Sequence, residues 1–135
     1  MQLPSGGARF ALIAAVSLAC FAGLDQDRQL DRIIMSPDST REAIAYINMG
    51  GGAAGWCYTR VAVRTRSSAT INLKALDDSL GYVFQASCQS SPQLAWDSST
   101  ALHIRYQLGQ YGVSAYMRPT SDDGKVRITY EVLNQ

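Results

Sequence analysis

The residues whose types and spacing suggest chemistry sit close together in "GGGAAGWCYTRVAVRT", residues 50–65. Trp56, Tyr58, Arg60 and Arg64 recur at every second position, with Arg66 beyond them. Strand alternation puts them on one face with Ala62, and Thr59, Val61, Val63 and Thr65 on the other. Arginine beside aromatic rings can grip anions or stack on flat groups, and Trp, Tyr and Arg dominate protein contact surfaces. This face is the candidate binding surface. The other reading is a solvated sheet face whose arginine stems cover the rings. If the face is free, reversing Arg60 and Arg64 to Glu leaves the fold intact and abolishes partner binding.

The glycines before Trp56 raise a second possibility, a phosphate cradle. Such loops carry G-x-x-x-x-G-K-[ST] or G-x-G-x-x-G and lead into a helix. Neither frame is present, and a strand follows, so a hairpin corner is expected. The single histidine, His103, is placed mid-strand and outward beside Arg105. A nucleophile needs a base within reach, so an enzymatic reading requires a cleft that joins His103 to a carboxylate. No G-x-S-x-G elbow occurs. Asp38, Asp77, Asp78, Asp97, Asp122 and Asp123 fall in turns, where acids normally bond the local backbone. No calcium loop and no C-x-x-C is found, so neither a metal nor a cofactor is expected.

Cys57 and Cys88 are the disulfide candidates. Their pairing closes a loop of about 30 residues, worth roughly 3–4 kcal/mol; the alternative is two buried thiols. The third cysteine, Cys20, lies in a different context. Residues 10–24, "FALIAAVSLACFAGL", carry no charge and follow a start whose one charge is Arg9. Fifteen residues in a helix reach roughly 22 Å, short of a bilayer core of roughly 30 Å. The segment reads as a secretory signal. Ser17-Leu18-Ala19 before Cys20 fits a small-x-small cleavage site and nearly fits a lipoprotein box, which makes Cys20 the lipidation candidate. Cleavage after Ala22 and an uncleaved anchor are the other options.

One of the twelve basic residues precedes this point, leaving eleven against eleven acids. A neutral domain has no global field to gather nucleic acid, and contact with membrane is expected only through the N-terminus. The expected organisation is 1–24 signal peptide or lipoprotein signal/anchor, 25–32 linker, and 33–135 one domain.

The elements that must position these residues are strands. "REAIAYINM" is apolar on both faces, as a central strand is. Residues 67–81 read as a short strand or irregular loop and then a turn, with no convincing helix after residue 30. "GYVFQASC" puts Tyr82, Phe84, Ala86 and Cys88 on one side. "LAW" is a short strand. "ALHIRYQL" sends Leu102, Ile104, Tyr106 and Leu108 inward; "GQYG" then turns the chain, or Tyr111 begins a strand that runs to Met117. "KVRITYEVL" sends Val126, Ile128, Tyr130 and Val132 inward. "SPDST" and "PTSDDG" are turns. The sum is a mainly β fold, an antiparallel sandwich or twisted meander of six to eight short strands.

"SPDST" and "LAWDSSTALHI" resemble the S-P-D-G and W-x-x-D-x-x-x-L-x-I phrases of TolB-type propeller blades, although no repeat of fixed period is present. "SPD", "GGAAGWCYTRVAV", "GYVFQAS", "LAW", "LHIRY" and "VRITY", in that order, more closely resemble a group of small bacterial exported or membrane-anchored β proteins. Gly51 stands where that group has a cysteine. The resemblance implies an exported compartment and β architecture, and assigns no functional residue. The function expected is a non-enzymatic exported β-domain at the bacterial envelope, binding an envelope protein or polymer. An immunity-type inhibitor of an envelope-targeted toxin is the alternative, and a small hydrolase-like enzyme the third. Oligomeric state is left open.

Overall fold

The computed structural model describes residues 27–79, 81–109 and 115–133. The signal region and the lipidation candidate Cys20 lie outside them. Eight strands form two sheets: β1 (Asp27–Met35), β2 (Arg41–Gly50), β3 (Trp56–Thr65), β4 (Tyr82–Ser87), β5 (Gln93–Ser98), β6 (Ala101–Gln107), β7 (Tyr116–Met117) and β8 (Arg127–Leu133). The first sheet has the order β1-β2-β3-β4-β7 and the second β5-β6-β8.

The main core lies between the sheets. Ala43, Ala45, Val61, Val63, Phe84 and Ala86 meet Leu94, Leu102, Ile104, Tyr106 and Ile128 there. The Phe84 ring lies 5.3 Å from that of Tyr106. Burying a side chain of this size contributes about 1.5–3 kcal/mol. Two polar ties cross between the sheets. Trp96 Nε1 donates to Ile34 O at 3.0 Å. The Tyr130 hydroxyl sits 2.9 Å from Val83 O and 2.7 Å from Arg118 O.

β2 is apolar on both faces because it is buried on both. Ala43 and Ala45 face the second sheet, while Ile44 and Tyr46 join Ala62 and Leu76 in a smaller cluster on the outer face. What covers that outer face is a helix, α1 (Leu73–Asp78), which corrects the expectation of strand or loop over 67–81. Asn72 caps it, its Oδ1 accepting from Ala75 N at 3.0 Å. Ile71, Leu73 and Leu76 pack downward, so their apolar spacing is that of a helix entry and not of a strand.

Other expectations are corrected as well. Asp27 to Arg32, expected in the linker, belong to β1, which pairs from Asp27↔Met49 to Arg32↔Ala45 with a bulge at Asp31. Polar residues are tolerated there because their long side chains find partners: Arg28 reaches Asp77, and Arg32 Nη2 reaches Pro92 O at 2.5 Å. The fold is not wholly antiparallel, since β6 and β8 pair in parallel from Ala101↔Arg127 to Gln107↔Leu133. Tyr82 does not share a side with Phe84. Val61 pairs with Phe84 and Ala62 with Tyr82, so Val83 is an extra residue that turns Tyr82 to the outer face. Leu108 and Val132, expected inside, are 47% and 39% exposed near strand ends. Of the strand expected from Tyr111, residues 110–114 are outside the described set and β7 is Tyr116–Met117.

Candidate functional site

The outer face of the first sheet is ordered by register. Arg28, Asn48 and Tyr58 align across β1, β2 and β3; Leu30, Tyr46, Arg60 and Gln85 form the next row; Ile44, Ala62 and Tyr82 follow, then Glu42 and Arg64. The candidate residues Trp56, Tyr58, Arg60 and Arg64 therefore do share a face. α1 divides that face into three zones with different chemistry.

In the middle, α1 delivers Asp77 onto the sheet. Its Oδ2 accepts from Arg28 Nε at 2.6 Å, Arg60 Nη1 at 2.8 Å and Asn48 Nδ2 at 3.4 Å, and its Oδ1 from the Tyr46 hydroxyl. Burial by itself favours the neutral acid. The Tyr46 hydrogen bond and the Arg28 and Arg60 guanidiniums outweigh it and hold the carboxyl below the usual carboxylate range. Burial first, and then the Asp77 hydrogen bond, push the Tyr46 hydroxyl well above its ordinary value. Asp77 is thus no turn acid serving solubility; it is buried and fully engaged. Arg60 is engaged too. Its Nε donates to Gln85 Oε1 at 2.7 Å, and its guanidinium lies 4.7 Å above the Tyr82 ring. Reversing Arg60 to Glu would set two carboxylates together, so the expectation that this change spares the fold is withdrawn.

At one end, Trp56 lies across Gly50, its partner in register. A Cβ on Gly50 would come within 2.7 Å of the indole, so glycine is what lets the ring lie flat. Gly51 and Gly52 take φ of 85° and 55°, the left-handed region that glycine enters without strain. The glycine run is a hairpin corner. The Trp56 and Tyr58 rings are 5.6 Å apart and half-buried. Beside them Cys57 and Cys88 form a disulfide, Cα–Cα 5.5 Å. It ties the start of β3 to a 3₁₀ turn, Cys88–Ser90.

At the other end, Arg64 Nε donates to Glu42 Oε1 at 2.6 Å. Its Nη2 is buried and makes no hydrogen bond among the described residues. Arg64 lines a groove of about 560 Å³ between α1 and the turn before β8, with Thr65, Thr70, Asn72, Ser79 and Asp122. The groove mixes both charges with neutral hydroxyl and amide groups.

His103 lies elsewhere, on the outer face of the second sheet. Its Nδ1 is 2.7 Å from Thr129 Oγ1 and its Nε2 is 3.0 Å from Glu131 Oε2. Arg105 Nε is 3.4 Å from the same carboxylate. The His103 hydrogen bond, then the Arg105 charge, keep the Glu131 carboxyl below its ordinary range. A carboxylate thus meets His103, but on an open sheet face and apart from the groove. Thr129 and Glu131 were not legible as its partners because the parallel β6–β8 pairing is non-local. Among the described residues, no group of three or more His, Cys, Asp or Glu is placed to hold a metal. No described helix is long and apolar enough to cross a membrane.

Comparison with protein families, with curated proteins and with solved structures finds no match to this chain.

Proposed function

We propose that the chain is an exported, non-enzymatic β-domain of the bacterial envelope that binds an envelope protein or polymer in the groove beside α1. The observation that carries this reading is the Arg64 guanidinium, with one buried nitrogen unspent at the edge of a groove rich in hydroxyl and amide groups. Arg64 lines the groove, and a turn of its side chain would present that donor to a ligand carbonyl or carboxylate; buried donors gain most from a partner. The Cys57–Cys88 disulfide supports the exported compartment, since such bonds persist in oxidising surroundings. The contact surface thereby moves from the whole aromatic–arginine face to its Arg64 end.

The test is cross-linking and pull-down from the host envelope fraction. Thr70→Arg and Asp122→Arg, both exposed positions on the groove wall, are expected to fill it and lose the partner. His103→Ala is expected to keep it. Equal capture by all three variants would remove the groove as the binding site.

A further inference from the structure

Charge is distributed unevenly along the strands of this molecule. At one end lie the 36–40 turn, Ser99 and Thr100, and the 119–124 turn, stitched together. Arg41 Nη1 meets Asp123 Oδ2 at 2.9 Å, Asp38 N donates to Ser99 Oγ at 3.1 Å, and Arg127 N to Thr100 O at 2.9 Å. That end carries Asp38, Arg41, Arg66, Asp97, Arg118, Asp122, Asp123, Lys125 and Arg127. The opposite end is built from the β2–β3 hairpin, the Cys88–Ser90 turn and the chain leaving β6. No charged residue occurs between Glu42 and Arg60, between Asp78 and Asp97, or between Arg105 and Arg118. The described residues of this end, 49–58, 87–90 and 107–109, all fall within these neutral stretches. The disulfide joins the first two. The third is close by, since a Cβ on Gly109 would lie 3.4 Å from Ser87 Oγ and 3.5 Å from Gln89 Oε1. Leu108 and Ala53 are exposed there, with Trp56 half-buried beside them. Among the described residues the nearest formal charges stand at the rim, Asp27 and Arg28 opening β1 and the Arg105–Glu131 pair; Asp25 lies in the connection to the apolar run.

The register adds an independent observation. Asp27, the first residue of β1, pairs with Met49, next to the hairpin corner. The apolar run 10–24 ends only three residue steps before Asp27, roughly 10 Å when extended. A bilayer headgroup layer is roughly 5–7 Å deep on each side. We infer that the neutral end of the domain, the β2–β3 hairpin with Trp56 at its base, rests against the bilayer to which the N-terminal segment attaches the chain. The inference rests on the export reading above and adds that the chain stays attached, through the apolar run or through lipid on Cys20. Pressing formal charge into a lipid surface would cost desolvation, and none of the described residues of the hairpin tip carries one. Tryptophan and tyrosine favour the interface. The α1 groove then opens at the far, charged end, where a partner can reach it.

The test uses the full chain reconstituted into vesicles of phosphatidylethanolamine and phosphatidylglycerol, doped with phosphatidylcholine brominated along its acyl chains. Flotation reads attachment, and bromine quenching of tryptophan reads apposition. Trp96, held between the sheets by Ile34 O, is the unquenched reference. The expected result is flotation with emission quenched, the quenching disappearing in Trp56→Phe. Ala53→Asp with Leu108→Asp, at exposed positions, is expected to float as before yet lose most of the quenching. Flotation without Trp56 quenching, or quenching untouched by the two aspartates, overturns the apposition and leaves attachment standing. Failure to float overturns attachment and apposition together, while the groove remains separately read by the pull-down.

Discussion

Asp77 is where the outer face of the first sheet is decided. A single carboxylate receives Arg28, Arg60, Asn48 and the Tyr46 hydroxyl, which come from three neighbouring strands. Removing one member of a buried charge cluster leaves the others uncompensated, which costs more than the cluster itself contributes. Asp77→Asn is therefore expected to lower the unfolding free energy by about 3 kcal/mol, read from the urea midpoint. The pH dependence follows from the direction of the shift. The folded carboxyl lies below its unfolded value, about 3.9, so the stabilisation is complete above that pH and is lost as pH falls through the folded value. The wild-type urea midpoint should fall below about pH 4 more steeply than that of Asp77→Asn. Parallel curves for the two proteins would mean that Asp77 is not ionised in this role. Nothing in the local sequence marks Asp77 apart from Asp78 beside it. What separates them is which one the helix turns toward the sheet, and that is a tertiary fact.

Two turns of this chain are built alike. In both, a serine N–H bonds the carbonyl five residues on, Ser36 to Arg41 and Ser121 to Val126, each at 2.9 Å. The serine hydroxyl donates to an aspartate two residues later, Ser36 to Asp38 at 2.8 Å and Ser121 to Asp123 at 2.7 Å. It also accepts the N–H five residues on, at 3.0 Å in both turns. That aspartate takes the N–H of Thr40 or Lys125, again at 3.0 Å. The fourth residue is left-handed in each, Ser39 at φ 60° and Gly124 at φ 71°. Only the second turn has the glycine this conformation favours. Ser39→Gly should accordingly stabilise the domain by about 0.5–1 kcal/mol and Gly124→Ser should destabilise it by about 1 kcal/mol, both read by thermal unfolding. A loss on Ser39→Gly would show that its side chain matters more than its backbone. These turns were legible because their chemistry is local. The central strand β2 and the alternating β6 were legible for the same reason, since a period of two survives in one sequence. α1 was not, because a six-residue helix offers less than two turns of periodicity. Its identity comes from Asn72 at the cap and from the apolar outer face it must cover.

On the scale of the whole molecule, the two ends are held by different means. The charged end is closed by the paired turns and by the Arg41–Asp123 bridge. The neutral end relies on the disulfide, with Trp56 lying over Gly50. The mainly β character was readable from strand count and turns, with a two-sheet sandwich only one of two options, whereas the parallel β6–β8 pair was not. Pairing of strands separated by a return through the first sheet leaves no mark in either strand, and the His103–Glu131 contact was hidden with it. The same division makes a prediction about opening. Cys57 and Cys88 are 31 residues apart, a loop whose closure is worth about 3.5 kcal/mol in the denatured chain. Reduction should lower global stability by about that amount. The β3–β4 ladder ends at Tyr58↔Ser87, immediately beside the bond, so local opening should begin there. Hydrogen exchange on the reduced protein is expected to quicken first over 49–58 and 82–88. Protection over 36–41 and 121–128 should persist until global unfolding, because their hydrogen bonds owe nothing to the cysteines. Uniform loss of protection along the chain would mean that the ends are coupled through the core and open as one. The charged end, with its groove, would then depend on the redox state of a bond at the far end of the strands.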